Sequence, residues 1–300
     1  MFKRIRIYLK EMYPFWSRWL VAFGLFFTIY FLIIALSGVK NFHIGGQEFI
    51  AVLAIFTFLM SLRIADEFKD YDTDKKNFPE RPLPSGRVKK SDLITLLLTF
   101  QIPTIVLNLV FMNNLCWFLG LWTYGIVMSF WFFAKKWIKP NLILALITHN
   151  PVTLLLNLYL VSFICTKYNL DMFTPNIILV AVALYLPGLV YEIGRKVRAP
   201  RKETAYKTYS KIIGYKPAIW LVVVLKFICT AINTVLVASL SIVVLIGLWL
   251  LFAYVLNESW HLTQDPKRTP FIKVVTAFIY CEQALLMIAA LMFIWTGRII

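Results

Sequence analysis

The chain has 300 residues, of which 60% are hydrophobic and only 15% charged, against about 45–50% and about 25% in ordinary globular domains. This composition excludes a soluble protein, a disordered chain, a collagen and a disulfide scaffold, and it predicts a polytopic membrane protein. The formal net charge of +16 would suggest a nucleic-acid partner in a soluble protein, but its distribution indicates a membrane topology and no nucleic acid.

Apolar runs of about 20 residues, the length that crosses a bilayer as a helix, occur nine times. The seventh and eighth runs join without a charged break, so we expect a tight hairpin near Ser239. The sequence therefore predicts an all-α fold, with nine transmembrane helices in one bundle and a single domain over residues 1–300. The predicted spans are 14–36, 46–64, 92–113, 115–134, 141–163, 175–193, 217–237, 239–257 and 272–296.

Lysine and arginine predict the orientation of these helices. Of the 31 in the chain, 25 lie at the N-terminus, in two long connections, after the fourth helix and before the ninth. Since cytoplasmic loops carry this excess, we predict a cytoplasmic N-terminus and an outside C-terminus. Residues 65–91 and 194–216 then form two polar cytoplasmic cap loops. In a prokaryote the protein would lie in the inner membrane with its active site toward the cytoplasm.

Five of the fifteen acidic residues fall within nine positions of the first cap loop. At about 100° per residue, four of them share an arc of about 100° on one helix face, and Asp72 points to another side. Like charges on one face need a counter-charge, which Mg²⁺ held together with substrate phosphate oxygens would supply. Alternatively, the run is a solvated segment that Arg63, Lys69 and Lys75 neutralise. The four acids are Asp66, Glu67, Asp70 and Asp74.

The segment ERPLPSGRVKK, residues 80–90, follows this acidic cluster. Two prolines and a glycine stiffen its turn, and Arg81 and Arg87 can contact phosphate oxygens in a bidentate manner. Carboxylates for a metal beside fixed guanidinium groups at a membrane surface suit a lipid diphosphate.

The combined segment RIADEFKDYDTDKKNFPERPLPSGRV resembles the first signature of the UbiA superfamily of intramembrane prenyltransferases. That family carries N/D-D-x-x-D-x-x-x-D followed shortly by R-P-L-x-x-G, and nine helices with an outside C-terminus are similar to it as well. The resemblance implies that the motif binds a prenyl diphosphate through Mg²⁺ and that the helices surround a cavity for its chain. The matching positions are Asp66, Glu67, Asp70, Asp74, Arg81, Pro82, Leu83 and Gly86.

The second cap loop, YEIGRKVRAPRKETAYKTYSKIIG, departs from the family, which often has D-x-x-x-D there. Glu192 takes the place of the first acid, but Lys196 stands where the second would be, and Glu203 could still supply a carboxylate. One interpretation is a weaker metal site that includes Glu192, and another is an ordinary positive-inside loop. The remaining interpretation is direct contact with phosphate by three cations, Arg195, Lys196 and Arg198.

Lys135 and Lys136 follow the fourth helix in FFAKKWIKPN, where the family often has an aromatic–Lys–Arg element facing the diphosphate. The resemblance implies that one of the two contacts phosphate and that the other anchors the helix end. Both residues are therefore candidate diphosphate ligands.

Polar side chains also occur inside the predicted helices, roughly 12–15 Å below the cytoplasmic surface. Because such groups are costly in a membrane, they should face the bundle interior. There His149, Asn150 or Glu282 could orient an acceptor or take up its proton. Alternatively, Lys226 and Glu282 form a buried ion pair that fixes helix packing, with His149 a satisfied core residue. The set is Gln101, His149, Asn150, Lys226 and Glu282.

These observations predict an Mg²⁺-dependent intramembrane prenyltransferase of isoprenoid biosynthesis. It would ionise a prenyl diphosphate and transfer the prenyl group to an aromatic or lipid acceptor, so its partners are a prenyl diphosphate, a hydrophobic acceptor and the lipid bilayer. The altered second motif leaves open a UbiA-type terpene cyclase, in which the substrate's own alkene attacks the cation. A phosphosugar transferase to lipid phosphate and a non-enzymatic channel or transporter are the remaining alternatives.

Overall fold

The computed structural model describes residues 1–203, 207–267 and 270–299. Every regular element in these ranges is helical, which confirms the predicted all-α class. Eight helical stretches have the length and apolarity needed to cross a membrane. The chain is therefore a multi-pass integral membrane protein.

The helices are numbered in chain order, and two single-turn 3₁₀ helices lie at Trp131–Phe133 and Pro200–Lys202. Several of the numbered helices are short and lie between the spans. The full set is α1 (Phe2–Glu11), α2 (Phe15–Leu36), α3 (Gly46–Lys69), α4 (Tyr71–Asn77), α5 (Lys90–Phe111), α6 (Leu115–Ser129), α7 (Lys135–Ile138), α8 (Leu142–His149), α9 (Pro151–Tyr168), α10 (Pro175–Gly194), α11 (Tyr209–Ile213), α12 (Tyr215–Val237), α13 (Ile242–Gln264) and α14 (Phe271–Thr296).

The predicted count of nine spans is not confirmed, because the fourth apolar run forms a short helix. The 15 residues of α6 rise about 22 Å, against roughly 30 Å for the hydrocarbon core of a bilayer. The run was predicted to extend to residue 134, but the helix ends at Ser129. Trp131, Phe132 and Phe133 have φ values of 56°, 50° and 56°, and a right-handed helix cannot continue through this left-handed turn.

The fifth predicted span is interrupted in the middle. Helix α8 ends at His149, and α9 begins again at Pro151. Proline has no N–H and clashes with the preceding turn, so it starts a new helix as its first residue. His149 and Asn150 therefore lie at a break in the backbone.

The predicted hairpin near Ser239 is confirmed. Helix α12 ends at Val237 and α13 begins at Ile242. The Ser241 hydroxyl accepts a hydrogen bond of 3.2 Å from the Val244 N–H, and this cap satisfies one of the amide donors that every helix start leaves unpaired.

Contacts divide the chain into two compact units. Unit 1 consists of Met1–Phe26 and His43–Trp137, and unit 2 consists of Phe27–Phe42 and Ile138–Ile300. The single domain over residues 1–300 stays a prediction. The two candidate parts of the site, the acidic cluster and the second cap loop, belong to unit 1 and unit 2 respectively.

Unit 1 is built around α3, which packs against α5 and α6. The Phe56 ring is fully buried, and the rings of Tyr13, Phe15 and Trp19 lie 5.0–5.4 Å from it. The amphipathic helix α1 is fastened to α5 because the Arg4 guanidinium donates to both carboxylate oxygens of Asp92, at 2.6 and 2.8 Å. The ion pair therefore holds α1 against the beginning of α5.

In unit 2, α12 packs against α10 and α13, and α14 packs against α13 and α10. Helix α10 approaches α14 closely at Gly194, where a Cβ atom would lie 3.0 Å from the Val275 side chain. A glycine at this position therefore lets the end of α10, which carries Glu192, lie directly on α14.

Candidate active-site residues in each unit

The four predicted metal ligands lie at the end of α3 and on α4, in unit 1. Asp70 joins these helices with φ −107° and ψ 11°, a departure from helical geometry. The amides of Asp70 and Asp74 still donate to the carbonyls four residues earlier, both at 2.9 Å. Asp70 departs from helical dihedral angles while these hydrogen bonds continue the helical pattern, so the shared helix face of the four acids stays a prediction. Asp72 is exposed, whereas Glu67 and Asp74 are buried.

Cations of the same unit neutralise three of the four acids. The neutralisation that the alternative interpretation assigned to Arg63 and Lys69 is present, and Arg81 is a third partner. The pairs are Asp66–Lys69 at 2.8 Å, Glu67–Arg63 at 2.5 Å and Asp74–Arg81 at 2.6 Å.

The donor set of this cluster fits Mg²⁺ that arrives with a phosphate substrate. Within the described ranges, no three His, Cys, Asp or Glu side chains form a metal cage. However, the buried Oε2 atom of Glu67 has no hydrogen-bond partner among the described residues, which is costly for a carboxylate. Mg²⁺ commonly takes only one or two protein carboxylates and completes its coordination with water and substrate phosphates. The acidic cluster offers such oxygens.

The loop after α4 is a compact turn. The Val88 N–H donates to the Pro82 carbonyl at 3.0 Å, and the Gly86 N–H donates to the Leu83 carbonyl at 3.1 Å. Gly86 has φ 75°, a conformation that favours glycine. The Arg81 guanidinium lies 4.0 Å from the centre of the Phe78 ring, so this side chain is held between the ring and Asp74.

Arg87 pairs with a carboxylate of α1, and its expected contact with phosphate stays a prediction. Its guanidinium donates to both carboxylate oxygens of Glu11, at 2.5 and 2.9 Å, and to the Glu80 carbonyl at 2.5 Å. This bidentate pair holds the pKa of the Glu11 carboxyl below its usual value. Arg87 therefore ties the loop to α1.

The sequence analysis missed Tyr8 on α1. Its side chain is fully buried, and burial, together with the negative charges of Glu67 and Asp66, raises the pKa of its hydroxyl. Tyr8 therefore lies near the acidic cluster. The apolar side of the N-terminal segment is the sequence signal that could have predicted this burial. The sequence analysis above considers only the basic charge of that segment.

Lys69 and Trp131 are a second feature that the sequence did not predict. The Lys69 ammonium lies 4.7 Å from the centre of the Trp131 ring, so the left-handed turn after α6 reaches the acidic cluster. Lys135 and Lys136 begin α7 and are exposed in unit 1. Neither lysine forms an ion pair in the part of the chain that the structure describes.

In unit 2, Glu192 is paired with two cations. Arg195 donates to its two carboxylate oxygens at 2.5 and 2.8 Å, and the Lys196 ammonium lies 2.8 Å from Oε1. The i, i+4 pairing of Glu192 with Lys196 follows from helical spacing. Both oxygens of the acid that replaces the family's first aspartate are therefore neutralised within its own loop.

Glu203 does not offer a free carboxylate. Its oxygens accept hydrogen bonds from the Thr208 hydroxyl at 2.8 and 2.9 Å and from the Ser210 hydroxyl at 2.5 Å. The Ser210 hydroxyl in turn accepts from the Arg198 N–H at 2.8 Å. Glu203 therefore holds the two ends of the second cap loop together.

The polar residues inside the helices connect neighbouring helices. Gln101 donates to the Thr57 carbonyl at 2.6 Å in unit 1. In unit 2, Asn233 donates to Glu282 Oε1 at 2.6 Å. The expected Lys226–Glu282 ion pair is not formed as a direct hydrogen bond among the described residues. Instead, the Lys226 ammonium lies 4.3 Å from the centre of the Phe278 ring, whose π face attracts cations.

His149 and Asn150, which could orient the prenyl acceptor or take up its proton, lie at the α8–α9 break. His149 Nδ1 lies 3.0 Å from the Thr148 hydroxyl. Asn150 is buried, and its Nδ2 atom has no hydrogen-bond partner within the described ranges. The break therefore presents a buried amide donor inside unit 2.

Comparison with known proteins agrees with these features. The model of the UbiA prenyltransferase family matches residues 24–281, a range that includes both the acidic cluster and the second cap loop. No curated protein and no solved structure matches the chain. Because the family match covers most of the sequence, the chain belongs to the UbiA prenyltransferase family, which implies intramembrane prenyltransferase activity.

Proposed function

We propose that the protein ionises a prenyl diphosphate with the help of Mg²⁺ and transfers the prenyl group to a hydrophobic acceptor. The observation that carries the proposal is the acidic cluster of α3 and α4, where buried carboxylates lie directly beside guanidinium and ammonium groups. Such a set can bind a diphosphate and its counter-ion together.

In this reaction the bond between the prenyl C1 atom and the diphosphate oxygen breaks, and the electron pair leaves with the diphosphate. A new bond forms between C1 and the acceptor, which loses one proton. Mg²⁺, when bound, would neutralise part of the charge on the leaving group. The residues that would hold it are Asp66, Glu67, Asp70 and Asp74.

The cations around the acidic cluster are proposed to stabilise the departing diphosphate, which is the main catalytic task of the protein. Arg63, Lys69 and Arg81 already donate to carboxylates and would donate to phosphate oxygens when substrate is bound. Lys135 and Lys136 are exposed and would supply a further contact with phosphate. The buried amide of Asn150, with His149 and Glu282, is proposed to orient the acceptor or take up its proton.

For the second cap loop, we propose that Arg195, Lys196 and Arg198 contact phosphate directly and that Glu192 positions the first two. This follows from the pairing of both Glu192 oxygens with cations. It leaves Glu192 a poor metal ligand, since a metal would have to displace two favourable charge pairs.

Replacement of Lys196 by alanine is expected to raise the KM for prenyl diphosphate by about fivefold, through loss of binding energy of roughly 1 kcal/mol. Arg195 would still neutralise Glu192, so folding should be preserved. Lys216→Ala is the matched control, because it removes the same charge from an exposed position at the end of the same loop. Steady-state kinetics at several Mg²⁺ concentrations would measure both variants. An unchanged KM in Lys196→Ala would exclude its contact with phosphate.

The neutralised Glu192 also favours a second candidate, a terpene cyclase, because the second acidic motif of the family is altered here. Incubation of labelled prenyl diphosphate with Mg²⁺, with and without an aromatic or lipid acceptor, separates the two reactions. We expect a prenylated product only when the acceptor is present. A hydrocarbon or alcohol formed without acceptor, at the same rate as with it, would contradict transfer and support cyclisation.

A further inference from the structure

Unit 2 contains a cavity that shares Arg195 and Arg198 with the proposed diphosphate contacts but is otherwise lined by residues that the proposed reaction does not use. It has a volume of about 630 Å³, within the range of about 300–1,000 Å³ that small-molecule sites occupy. Its walls come from the beginning of the second cap loop and from the connection between α13 and α14. It therefore lies where α10 and α13 end and where α12 and α14 begin. These helices are long and apolar enough to cross a membrane, so their ends are expected at its polar edge.

The lining of this cavity is strongly basic. Among the described residues of the lining, five carry cationic side chains and one, Asp265, carries a carboxylate. Its Oδ1 atom already accepts a hydrogen bond of 3.0 Å from the Lys267 N–H. The first residues of α14 also line the cavity, and the start of a helix carries a partial positive charge. An anion is therefore favoured there. The cations are Arg195, Arg198, Arg201, Lys202 and Lys267.

The rest of the lining is apolar. Val197 and Phe271 are buried core residues, and Ile272 and Tyr215 continue the surface toward α14 and α12. A free inorganic anion would leave this surface exposed to water. The combination of a basic rim with an apolar wall suits an anion that is attached to a hydrocarbon chain.

The cavity also differs from the acidic cluster in the ligand chemistry that it offers. Among the described residues that line it, Asp265 is the only one with a carboxylate, so a diphosphate that carries Mg²⁺ would find no set of oxygen ligands there. Lys196, which pairs with Glu192, does not line it. A phosphate held by arginine and lysine alone fits better.

We propose that this cavity binds the phosphate headgroup of an anionic membrane phospholipid. Basic pockets between transmembrane helices are suited to such headgroups, and each nearby lysine or arginine adds to the attraction. The lipid's acyl chains would continue along the apolar surfaces of α12 and α14. The site shares Arg195 and Arg198 with the prenyl transfer proposed above, but it requires neither Mg²⁺ nor a prenyl diphosphate.

The test uses the full chain purified in detergent and transferred to vesicles, with EDTA present and no substrate. One set of vesicles consists of phosphatidylcholine alone, and the other contains phosphatidylcholine and phosphatidylglycerol in equal parts. The double variant Arg201→Gln/Lys267→Gln removes one exposed cation from each wall. Lys216→Gln/Lys273→Gln is the control, since it removes the same charge from exposed lysines outside the cavity. Native mass spectrometry of protein extracted from the vesicles would count retained phosphatidylglycerol, and a titration would give its affinity.

We expect wild-type protein and the control to retain phosphatidylglycerol, with the affinity of the Arg201→Gln/Lys267→Gln variant lower by about tenfold or more. The KM of this variant for prenyl diphosphate should be unchanged. If the cavity variant and the control lost affinity for phosphatidylglycerol equally, the lipid would be bound only by general attraction between charges. That result would overturn the proposal. Displacement of phosphatidylglycerol by prenyl diphosphate in EDTA, with a raised KM in the cavity variant, would overturn it in favour of a substrate site.

Discussion

Replacement of Asp70 by asparagine is expected to lower kcat/KM for prenyl diphosphate by at least about tenfold, which corresponds to a loss of about 1.4 kcal/mol of transition-state stabilisation. Asparagine keeps the volume of the side chain but removes the negative charge that would hold Mg²⁺. Asp70 lies at the junction of α3 and α4, between the buried acids Glu67 and Asp74. Steady-state kinetics with saturating acceptor would measure the loss.

Asp72→Asn is the matched control, because it removes the same charge two residues away from an exposed position. We expect it to retain most of the activity. Expression and the unfolding midpoint should be similar for both variants, since neither Asp70 nor Asp72 is buried. Equal damage from both substitutions, or full activity in Asp70→Asn, would contradict a specific role for the acidic cluster.

Replacement of Asn233 by leucine is expected to lower the free energy of unfolding by about 2–3 kcal/mol. Asn233 donates the hydrogen bond that reaches the fully buried carboxyl group of Glu282. The leucine variant would leave this group without its donor inside a transmembrane helix pair, where water cannot replace it. Titration of the solubilised protein with SDS, followed by tryptophan fluorescence, would measure the change.

Asn157→Leu provides the control for this effect. Asn157 is equally buried and also donates across a helix interface, but its partner is the backbone carbonyl of Ala181, at 3.0 Å. That carbonyl can keep the hydrogen bond of its own helix. The free energy of unfolding should therefore fall only by about 0.6 kcal/mol, the average for interhelical side-chain hydrogen bonds in membranes. If the free energy of unfolding fell by a similar amount in both variants, the buried Glu282 carboxyl would not need the hydrogen bond from Asn233.

The helices could be predicted from the sequence because apolar length alone determines what can cross a bilayer. The hairpin near Ser239 followed from the same argument, since one apolar run of residues 217–257 is too long for a single span. The end of α6 could not be predicted, because Trp131, Phe132 and Phe133 are as apolar as the helix before them. Their left-handed backbone leaves no signature in hydropathy.

Within the candidate site, the residue types were predictable but their partners were not. The acids of α3 and α4 were identified from spacing, yet this spacing did not predict Arg81 as the partner of Asp74. Arg81 and Arg87 are the same residue type in the same short loop, and the sequence does not distinguish them. In the structure Arg81 binds Asp74, whereas Arg87 binds Glu11 on α1. Which carboxylate each arginine binds depends on tertiary packing. The periodicity of a single segment carries no information about that packing.

The polar residues inside the helices illustrate the same limit. Depth along the helices correctly suggested that Glu282 lies inside the protein, and opposite charge suggested Lys226 as its partner. Asn233 lies seven residues after Lys226 on α12, and Phe278 lies four residues before Glu282 on α14, so the two residues of each helix share one face. The axial register of the two helices therefore decides which neighbour is reached, and it brings Asn233 to Glu282 and the Phe278 ring to Lys226.

The most direct test of the central claim is the release of diphosphate from labelled prenyl diphosphate by wild-type protein in vesicles, with acceptor present. Diphosphate and prenylated product should form in equal amounts with Mg²⁺, stop when EDTA is added and resume when Mg²⁺ is restored. Release at an unchanged rate in EDTA, or no release at any Mg²⁺ concentration with any acceptor, would contradict the assignment of the acidic cluster to prenyl diphosphate ionisation.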